Sequence, residues 1–296
     1  MKISIPPSLA PLVTENQSIW PLTSIRVGGV SHWLAKPATI SDLSVIIAWT
    51  QRQSLPYVVL GGGTNVVFSD QGYDGVVIYT RELTGHHIHE DQVVASAGES
   101  LAGLAMKFNR LGLSGMEWAC GIPGTVGGAL VMNAGTHDGD MASVVEGARV
   151  MTPSGVQHWP VERLEFGYRT SGLRTGRKEA IALEVDFRLH HDDPARCIER
   201  ERSILEARQK TQPQGASCGC IFKNPENGPP AGMLLDQAGC KGLRVGAATV
   251  SSVHANFVIN EGQDNASDVL ALIQQMKDRV IEARSISLNP EVVIVE

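Results

Sequence analysis

The 296-residue chain is 43% apolar and 19% charged, with a formal net charge of −6. This is the balance of a globular protein rather than a fibrous or disordered one, and it leaves no basic footprint for nucleic acid or an anionic membrane. No run of about 18 apolar residues reads as a membrane span. The five cysteines, an odd number, do not form a disulfide framework, so a reducing, cytoplasmic setting is expected.

The N-terminus carries Lys2 but also Pro6 and Pro7 and only a broken apolar stretch, which does not read as a signal peptide. Residues 41–53 place Leu43, Ile46 and Ile47 at helical spacing behind Ser41, a plausible N-cap. The run Tyr57-Val58-Val59-Leu60 reads as a strand that opens into Gly61-Gly62-Gly63-Thr64-Asn65, and residues 75–79 form another β-rich run. This opening third suggests a small strand–helix–strand unit. A strand over 92–97 and a helix over 100–111 follow.

A second glycine-rich loop, Gly121-Ile122-Pro123-Gly124-Thr125-Val126-Gly127-Gly128, runs into the apolar stretch Ala129-Leu130-Val131-Met132 and then Asn133-Ala134-Gly135. Segments 144–152, 156–159 and 180–189 are spaced like strands of a mixed or antiparallel sheet. Residues 192–209 form a charged helix with Ile198, Ile204 and Leu205, suited to the surface and to joining two parts of the chain. After a loop-rich stretch come a helix over 231–238 and a strand over 255–260. An amphipathic helix from about Ser267, with Val269, Leu270, Ile273, Met276 and Val280 on one face, precedes a closing strand over 291–295. The histidine pairs His86-His87 and His190-His191 fall in exposed turns or strand ends and are given no role. No internal repeat is present.

Glycine lets a backbone approach a ligand and take positive φ, and runs of N–H groups in such turns bind anions. Neither loop fits a common phosphate motif: there is no G-x-x-x-x-G-K-[ST], and both lack the third glycine of G-x-G-x-x-G. Each alone could be a tight turn between strands. Together, with Thr64, Asn65 and Thr125 as hydrogen-bonding neighbours, they point to two walls of one site for a phosphate-bearing ligand.

The segments Thr23-Ser24-Ile25-Arg26-Val27-Gly28-Gly29, LGGGTNVVFSD from Leu60 and GIPGTVGGALVMNAG from Gly121 resemble the UDP-N-acetylenolpyruvoylglucosamine reductase (UDP-N-acetylmuramate dehydrogenase) family. The likeness continues through Phe166-Gly167-Tyr168-Arg169-Thr170-Ser171, Phe222-Lys223-Asn224-Pro225, Leu235-Asp236-Gln237-Ala238-Gly239, His254-Ala255-Asn256-Phe257 and Pro290-Glu291. It implies an α+β fold: a two-subdomain FAD-binding domain of the vanillyl-alcohol-oxidase (PCMH) type and a C-terminal α+β substrate-binding domain. The implied boundaries are 1–80 and 81–205 for the FAD-binding subdomains and 206–296 for the substrate domain, whose last strand can return to the FAD part. The implied activity is reduction of UDP-N-acetylglucosamine-enolpyruvate to UDP-N-acetylmuramate in peptidoglycan precursor synthesis, with bound FAD and NADPH as hydride donor. The partners expected are these small molecules, with no nucleic acid, membrane or obligate protein partner. A short segment 173–180 matches the shorter subtype, which lacks a tyrosine-bearing insertion.

By motif position, the resemblance assigns Arg26, Gly61, Gly62, Gly63, Thr64, Asn65, Gly121, Ile122, Gly124, Thr125, Gly127 and Gly128 to the cofactor. It assigns Tyr168, Lys223, Asn224 and Gln237 to the substrate, with Asn256 as a further candidate for that pocket. Arg169, Cys220 and Glu291 fall at the catalytic positions. A guanidinium suits the enolpyruvyl carboxylate through paired hydrogen bonds, and a fixed cation there stabilises the enolate-like charge that develops. Glu291 supports protonation by hydrogen bonding. The family's acid is a serine two residues before the Phe-Lys-Asn-Pro run; here that position is Cys220. A free thiol, with an ordinary pKa of about 8.5, keeps its proton near neutral pH and is a stronger acid than an alcohol. Cys218 and Cys220 lack a second ligand cluster, so no metal is expected.

Overall fold

The computed structural model describes residues 5–174, 180–262 and 265–296. Residues 175–179 of the short segment 173–180 therefore lie outside the described residues. In chain order the elements are β1 (Val13–Ser18), β2 (Val30–Ala35), α1 (Ile40–Arg52), β3 (Tyr57–Leu60), β4 (Val66–Phe68), β5 (Tyr73–Tyr79), β6 (His86–His89), β7 (Gln92–Ser96) and α2 (Leu101–Arg110). Then come β8 (Leu113–Ser114), α3 (Val126–Met132), β9 (Gly135–Thr136), β10 (Gly139–Asp140), β11 (Val145–Thr152), β12 (Gly155–Pro160), α4 (Val161–Leu164), β13 (Ile181–Arg188) and β14 (His190–His191). The last are α5 (Pro194–Thr211), α6 (Ala231–Gln237), β15 (Arg244–Val245), β16 (Ala248–Val250), β17 (Val258–Asn260), α7 (Ala266–Arg284) and β18 (Val293–Val295).

The chain divides into two compact units. The first comprises Met1–Thr14, Ala35–Gly62 and Val77–Arg208. Its centre is a five-stranded sheet ordered β12-β11-β13-β7-β6, in which all four neighbouring pairs are antiparallel. Alternation along β13 sends Ile181, Leu183, Val185 and Phe187 inward, as a half-buried strand should. Of these, Val185 and Phe187 share one core with Leu101, Leu104, Ala105 and Phe108, the buried face of α2. Ser100 caps α2 by accepting from Gly103 N. The charged helix α5 buries Cys197 and packs Leu205 on this core, while Ile198 stays exposed.

The second unit comprises Glu15–Leu34, Gly63–Val76 and Gln209–Glu296. The inner face of α7 (Val269, Leu272, Ile273, Met276 and Val280) packs with Leu234 and Leu235 of α6 and with Phe222. The three-stranded sheet β15-β16-β17 is antiparallel, and β18 pairs in parallel with β4. The Asp70 carboxylate accepts from Ala266 N (2.6 Å), Ser267 N (2.9 Å) and Ser267 Oγ. A residue remote in sequence thus serves the open amides of the first turn of α7 beside its own cap, Asn265.

Some local expectations change. Thr39, not Ser41, caps α1, in a capping box with Asp42. The cap defines the start of this helix better than the first apolar residue does. The stretch Ala129-Leu130-Val131-Met132 is helical in α3, because Thr125 turns the end of the second glycine loop into an N-cap. His86 and His87 lie in the edge strand β6, with the His86 ring 3.0 Å from Glu99 Oε1 and 2.5 Å from Lys107 Nζ.

Candidate active site

In the first unit the two glycine loops touch at backbone level. A Cβ on Gly61 would stand 2.5 Å from Thr125 Oγ1, and one on Gly62 would stand 2.9 Å from Gly124 Cα. Only glycine permits that approach. Gly121 (φ +77°) and Gly124 (φ +129°) take backbone forms that other residues avoid. Arg208 Nη2 donates to the Gly121 carbonyl at 3.0 Å. Ile122 is half-buried, and its amide donates to Ala119 O.

The end of the second loop serves packing. Val126 N donates to Glu99 O, Gly127 N to Ala97 O, and Gly128 N to Thr125 Oγ1. A Cβ on Gly127 would stand 2.8 Å from Ala97 Cβ, so this glycine lets α3 lie close to the chain after β7. The amides of Gly127 and Gly128 are thus engaged within the chain. Sequence reasoning missed Arg81. Its Nη1 lies 3.5 Å from the Cβ position of Gly62, and it forms no hydrogen bond or ion pair with the described residues. A lone arginine after a strand carried no signal of this placement.

Tyr168 and Arg169 occupy the tip of a tight turn in the same unit. Gly167 and Thr170 exchange both backbone hydrogen bonds, at 3.0 and 3.2 Å. Arg169 has φ +54°, the left-handed region that costs a non-glycine residue about 1–2 kcal/mol. Tyr168 is 55% exposed, and the Arg169 guanidinium carbon lies 5.7 Å from the centre of its ring. Around the tip, Asn133, Gly135, Thr136 and Asp140 join Tyr168 and Arg169 in lining a pocket of about 70 Å³.

In the second unit Cys220 and Glu291 lie on segments that touch. Glu291 N donates to Ile221 O at 2.8 Å, Phe222 bridges Pro290 and Cys220 bridges Phe257, and Lys223 N donates to Asn289 O at 2.9 Å. Asn256, 2% exposed, accepts from Phe222 N (2.9 Å) and donates to Phe222 O (2.8 Å) through its side-chain amide. It acts as an extra ladder residue rather than lining a pocket. Cys220 is half-buried. Burial pushes the neighbouring Cys218 thiol up to about 12, so Cys218 stays protonated and inert.

The remaining expected contacts are partly engaged within the fold. Asn224 Oδ1 accepts from Ala231 N at 2.9 Å, capping α6, and Gln237 Oε1 accepts from Arg284 Nη2 at 3.0 Å, tying α6 to α7. Asn65 Nδ2 donates to Glu291 O at 3.2 Å, and Asn65 O accepts from Val293 N. Gly63 has φ +64°, and a Cβ there would collide with Leu22 O; Thr64 is half-buried beside it. Arg26 is exposed on a turn at φ +58°, held by Asn260 Nδ2, which donates to Ile25 O (3.0 Å) and Arg26 O (3.3 Å).

The first-unit loops suit a dinucleotide pyrophosphate: a junction closed to side chains, two positive-φ glycines and an adjacent guanidinium. Among the described residues no group of three or more His, Cys, Asp or Glu side chains could hold a metal. No helix among them is long and apolar enough to cross a membrane.

An FAD-binding-domain profile matches residues 32–159, which include both glycine loops, and the profile of the UDP-N-acetylenolpyruvoylglucosamine reductase C-terminal domain matches residues 210–295. The chain is 40% identical to the UDP-N-acetylenolpyruvoylglucosamine reductase of Gloeobacter violaceus over 92% of each chain. It is 38% identical to that of Chloroflexus aggregans over the whole of both. The crystal structure of the Thermus caldophilus reductase aligns with a TM-score of 0.82 at 36% identity, covering 95% of this chain and 98% of that one. Likeness of this extent, through both profile regions and the fold, places the chain in the UDP-N-acetylenolpyruvoylglucosamine reductase family.

Proposed function

We infer that the chain reduces UDP-N-acetylglucosamine-enolpyruvate to UDP-N-acetylmuramate as an FAD-dependent oxidoreductase using NADPH, a step of peptidoglycan precursor synthesis. The observation that carries this reading is the 40% identity to a reductase over 92% of both chains. FAD, when bound, supplies hydride transfer from NADPH to C3 of the enolpyruvyl double bond.

We propose that the chain's own residues act as follows. Arg169 pairs with the substrate carboxylate and stabilises the negative charge that moves onto it as C3 gains hydride. Cys220 gives its proton to C2, completing the addition of H⁻ and H⁺ across the double bond. Glu291 supports that transfer by hydrogen bonding, its backbone fixed against Ile221 and Asn65. The glycine loops, with Arg26, Thr64 and Thr125, hold the cofactor, and Arg81 adds a cation beside Gly62. Tyr168, Lys223, Asn224 and Gln237 serve the nucleotide-sugar. The reading extends to FAD-binding parts at 1–80 and 81–205, a substrate part at 206–296, the shorter subtype and a cytoplasmic location.

The test is direct. The purified protein should be yellow, bleach with NADPH without oxygen, and regain colour when the enolpyruvyl substrate is added. Bleaching without substrate-driven recovery would assign it to a different oxidoreduction. Absence of flavin after reconstitution would overturn the cofactor assignment.

A further inference from the structure

We propose that Asn133 is a positioning residue for Arg169, setting the Arg169 turn on the helix that starts at the second glycine loop. The inference rests on the proposed role of Arg169 toward the substrate carboxylate.

Asn133 follows α3 directly and takes the left-handed conformation, φ 43° and ψ 58°, that often ends a helix. Only 5% of it is exposed. Its side-chain amide bonds to two other pieces of chain, 140–142 and Gly167. Nδ2 donates to Gly167 O at 3.0 Å and to Asp140 Oδ2 at 3.2 Å, while Oδ1 accepts from Ala142 N at 3.0 Å. An amide has two donors and an acceptor oxygen, so both donors are used and they set the side chain's orientation.

Gly167 is the first residue of the turn that carries Tyr168 and Arg169, and Asn133 therefore grips that turn at its base. A second tie is parallel to it: Ser171 Oγ donates to Val131 O at 2.8 Å, from the residue after the turn to the last turn of α3. The other end of α3 is Thr125 of the glycine loop. Seven residues of helix span about 10 Å, which makes α3 a short rigid spacer from loop to arginine. The Arg169 backbone sits in a disfavoured form, and such forms persist only where surrounding contacts over-determine them. Asn133, Ser171 and the Arg174 Nη1 to Arg169 O bond (2.5 Å) supply those contacts.

Two substitutions separate placement from folding. Asn133→Gly keeps the left-handed backbone at no steric cost and deletes the clasp. Asn133→Asp keeps the volume but sets a carboxylate against Gly167 O and the Asp140 carboxylate. The readouts are the two half-reactions followed separately, calorimetric affinity for UDP-N-acetylmuramate, and the thermal midpoint. Flavin reduction by NADPH should stay within about two-fold. Substrate-driven reoxidation and product affinity should fall ten- to a hundred-fold, more for Asp than for Gly, the scale of a misplaced reacting group.

Unchanged reoxidation and product affinity, or an equal fall in both half-reactions, would overturn the proposal. Arg169→Ala runs alongside: if it too leaves reoxidation intact, the role of Arg169 fails, whereas loss there with intact Asn133 variants refutes only the clasp. If both Asn133 variants fail to fold, Asp140→Asn is the milder probe, since its oxygen still caps Ser143 N. A few-fold loss of product affinity supports the clasp, and none refutes it.

Discussion

The segment that carries Arg169 and the segments that carry Cys220 and Glu291 are held in different ways. Arg169 stands at a hairpin tip in a left-handed conformation, fixed largely by side-chain bonds from Asn133, Ser171 and Arg174. Cys220 and Glu291 lie in extended chain held by backbone bonds, Glu291 N to Ile221 O, Ile221 N to Asn256 O and Lys223 N to Asn289 O. Side-chain clasps concentrate placement in a few replaceable groups. Backbone ladders spread it, so a residue there can change its chemistry without moving. On the proposed assignment, that difference lets a thiol at Cys220 take the place that the resemblance gives to a serine acid.

The largest expected effect tests this tolerance. Cys220→Ala should leave flavin reduction by NADPH intact and slow substrate-driven reoxidation by 10²- to 10⁴-fold, the usual worth of a general acid. Cys220→Ser should recover to within about ten-fold, because the ladder keeps the position. If Ser is as slow as Ala in stopped-flow reoxidation, placement on this side is not independent of the side chain and the contrast breaks. Arg169→Gly comes next and has an opposite signature on stability. Loss of the cation should cost 10²- to 10³-fold in reoxidation. Relief of the positive φ should raise the unfolding free energy by up to about 1 kcal/mol after glycine's extra unfolded entropy, and with it the thermal midpoint. An unchanged or lower midpoint would mean that the turn is not strained.

Much of this was legible from the chain. Periodicity located α1, α2, α6, α7 and four of the five strands of the first-unit sheet, β6 being the exception. The ordered motifs supplied Arg169, Cys220 and Glu291 as the proposed catalytic residues. Three things resisted reading for physical reasons. Strand β1 buries only Val13, so it shows no two-residue alternation to detect. The run after Gly128 is as apolar as a strand, and only the Thr125 cap makes it a helix. The clasps made by Asn133, Asn256 and Asn260 join residues 34 or more positions apart, and nothing local distinguishes such an asparagine from one in a turn. The glycines of the second loop likewise read alike, although Gly127 serves packing and Gly124 the loop junction.

On the ladder side, stability rather than placement should respond. Asn256→Ala deletes both bonds to Phe222 and leaves a buried N–H and C=O unpaired, at about 1–3 kcal/mol each when unsatisfied. A loss of about 3 kcal/mol in urea unfolding is expected, with the Ile221 and Lys223 backbone bonds keeping Cys220 near its place. Reoxidation at saturating substrate should therefore fall less than ten-fold. A catalytic loss as large as that of the Asn133 variants would make the two regions alike after all.

The smallest effect depends on pH. Glu117 lies just ahead of the second glycine loop and is 8% exposed. Burial alone would raise its carboxyl. Ser114 Oγ, the backbone N–H groups of Gly115 and Glu117, and Arg200 outweigh that and hold it below its ordinary value. A group depressed in the folded state stabilises fully above its unfolded pKa, about 4.3 for glutamate. That stabilisation is lost as pH falls through the lower folded value. The first unit should therefore weaken below about pH 4, as the carboxylate that anchors the loop's approach takes up a proton. Glu117→Gln removes the titration: at pH 7 it should cost about 1.5 kcal/mol, one charge-assisted hydrogen bond, and its stability should fall less steeply than the parent's from pH 5 to pH 3. Urea midpoints measured across that range decide it. Parallel acid limbs would assign the acid sensitivity to other carboxylates, of which Asp70 at the start of α7 in the second unit is the first to replace, because its hydrogen bonds also hold it below the ordinary value against burial.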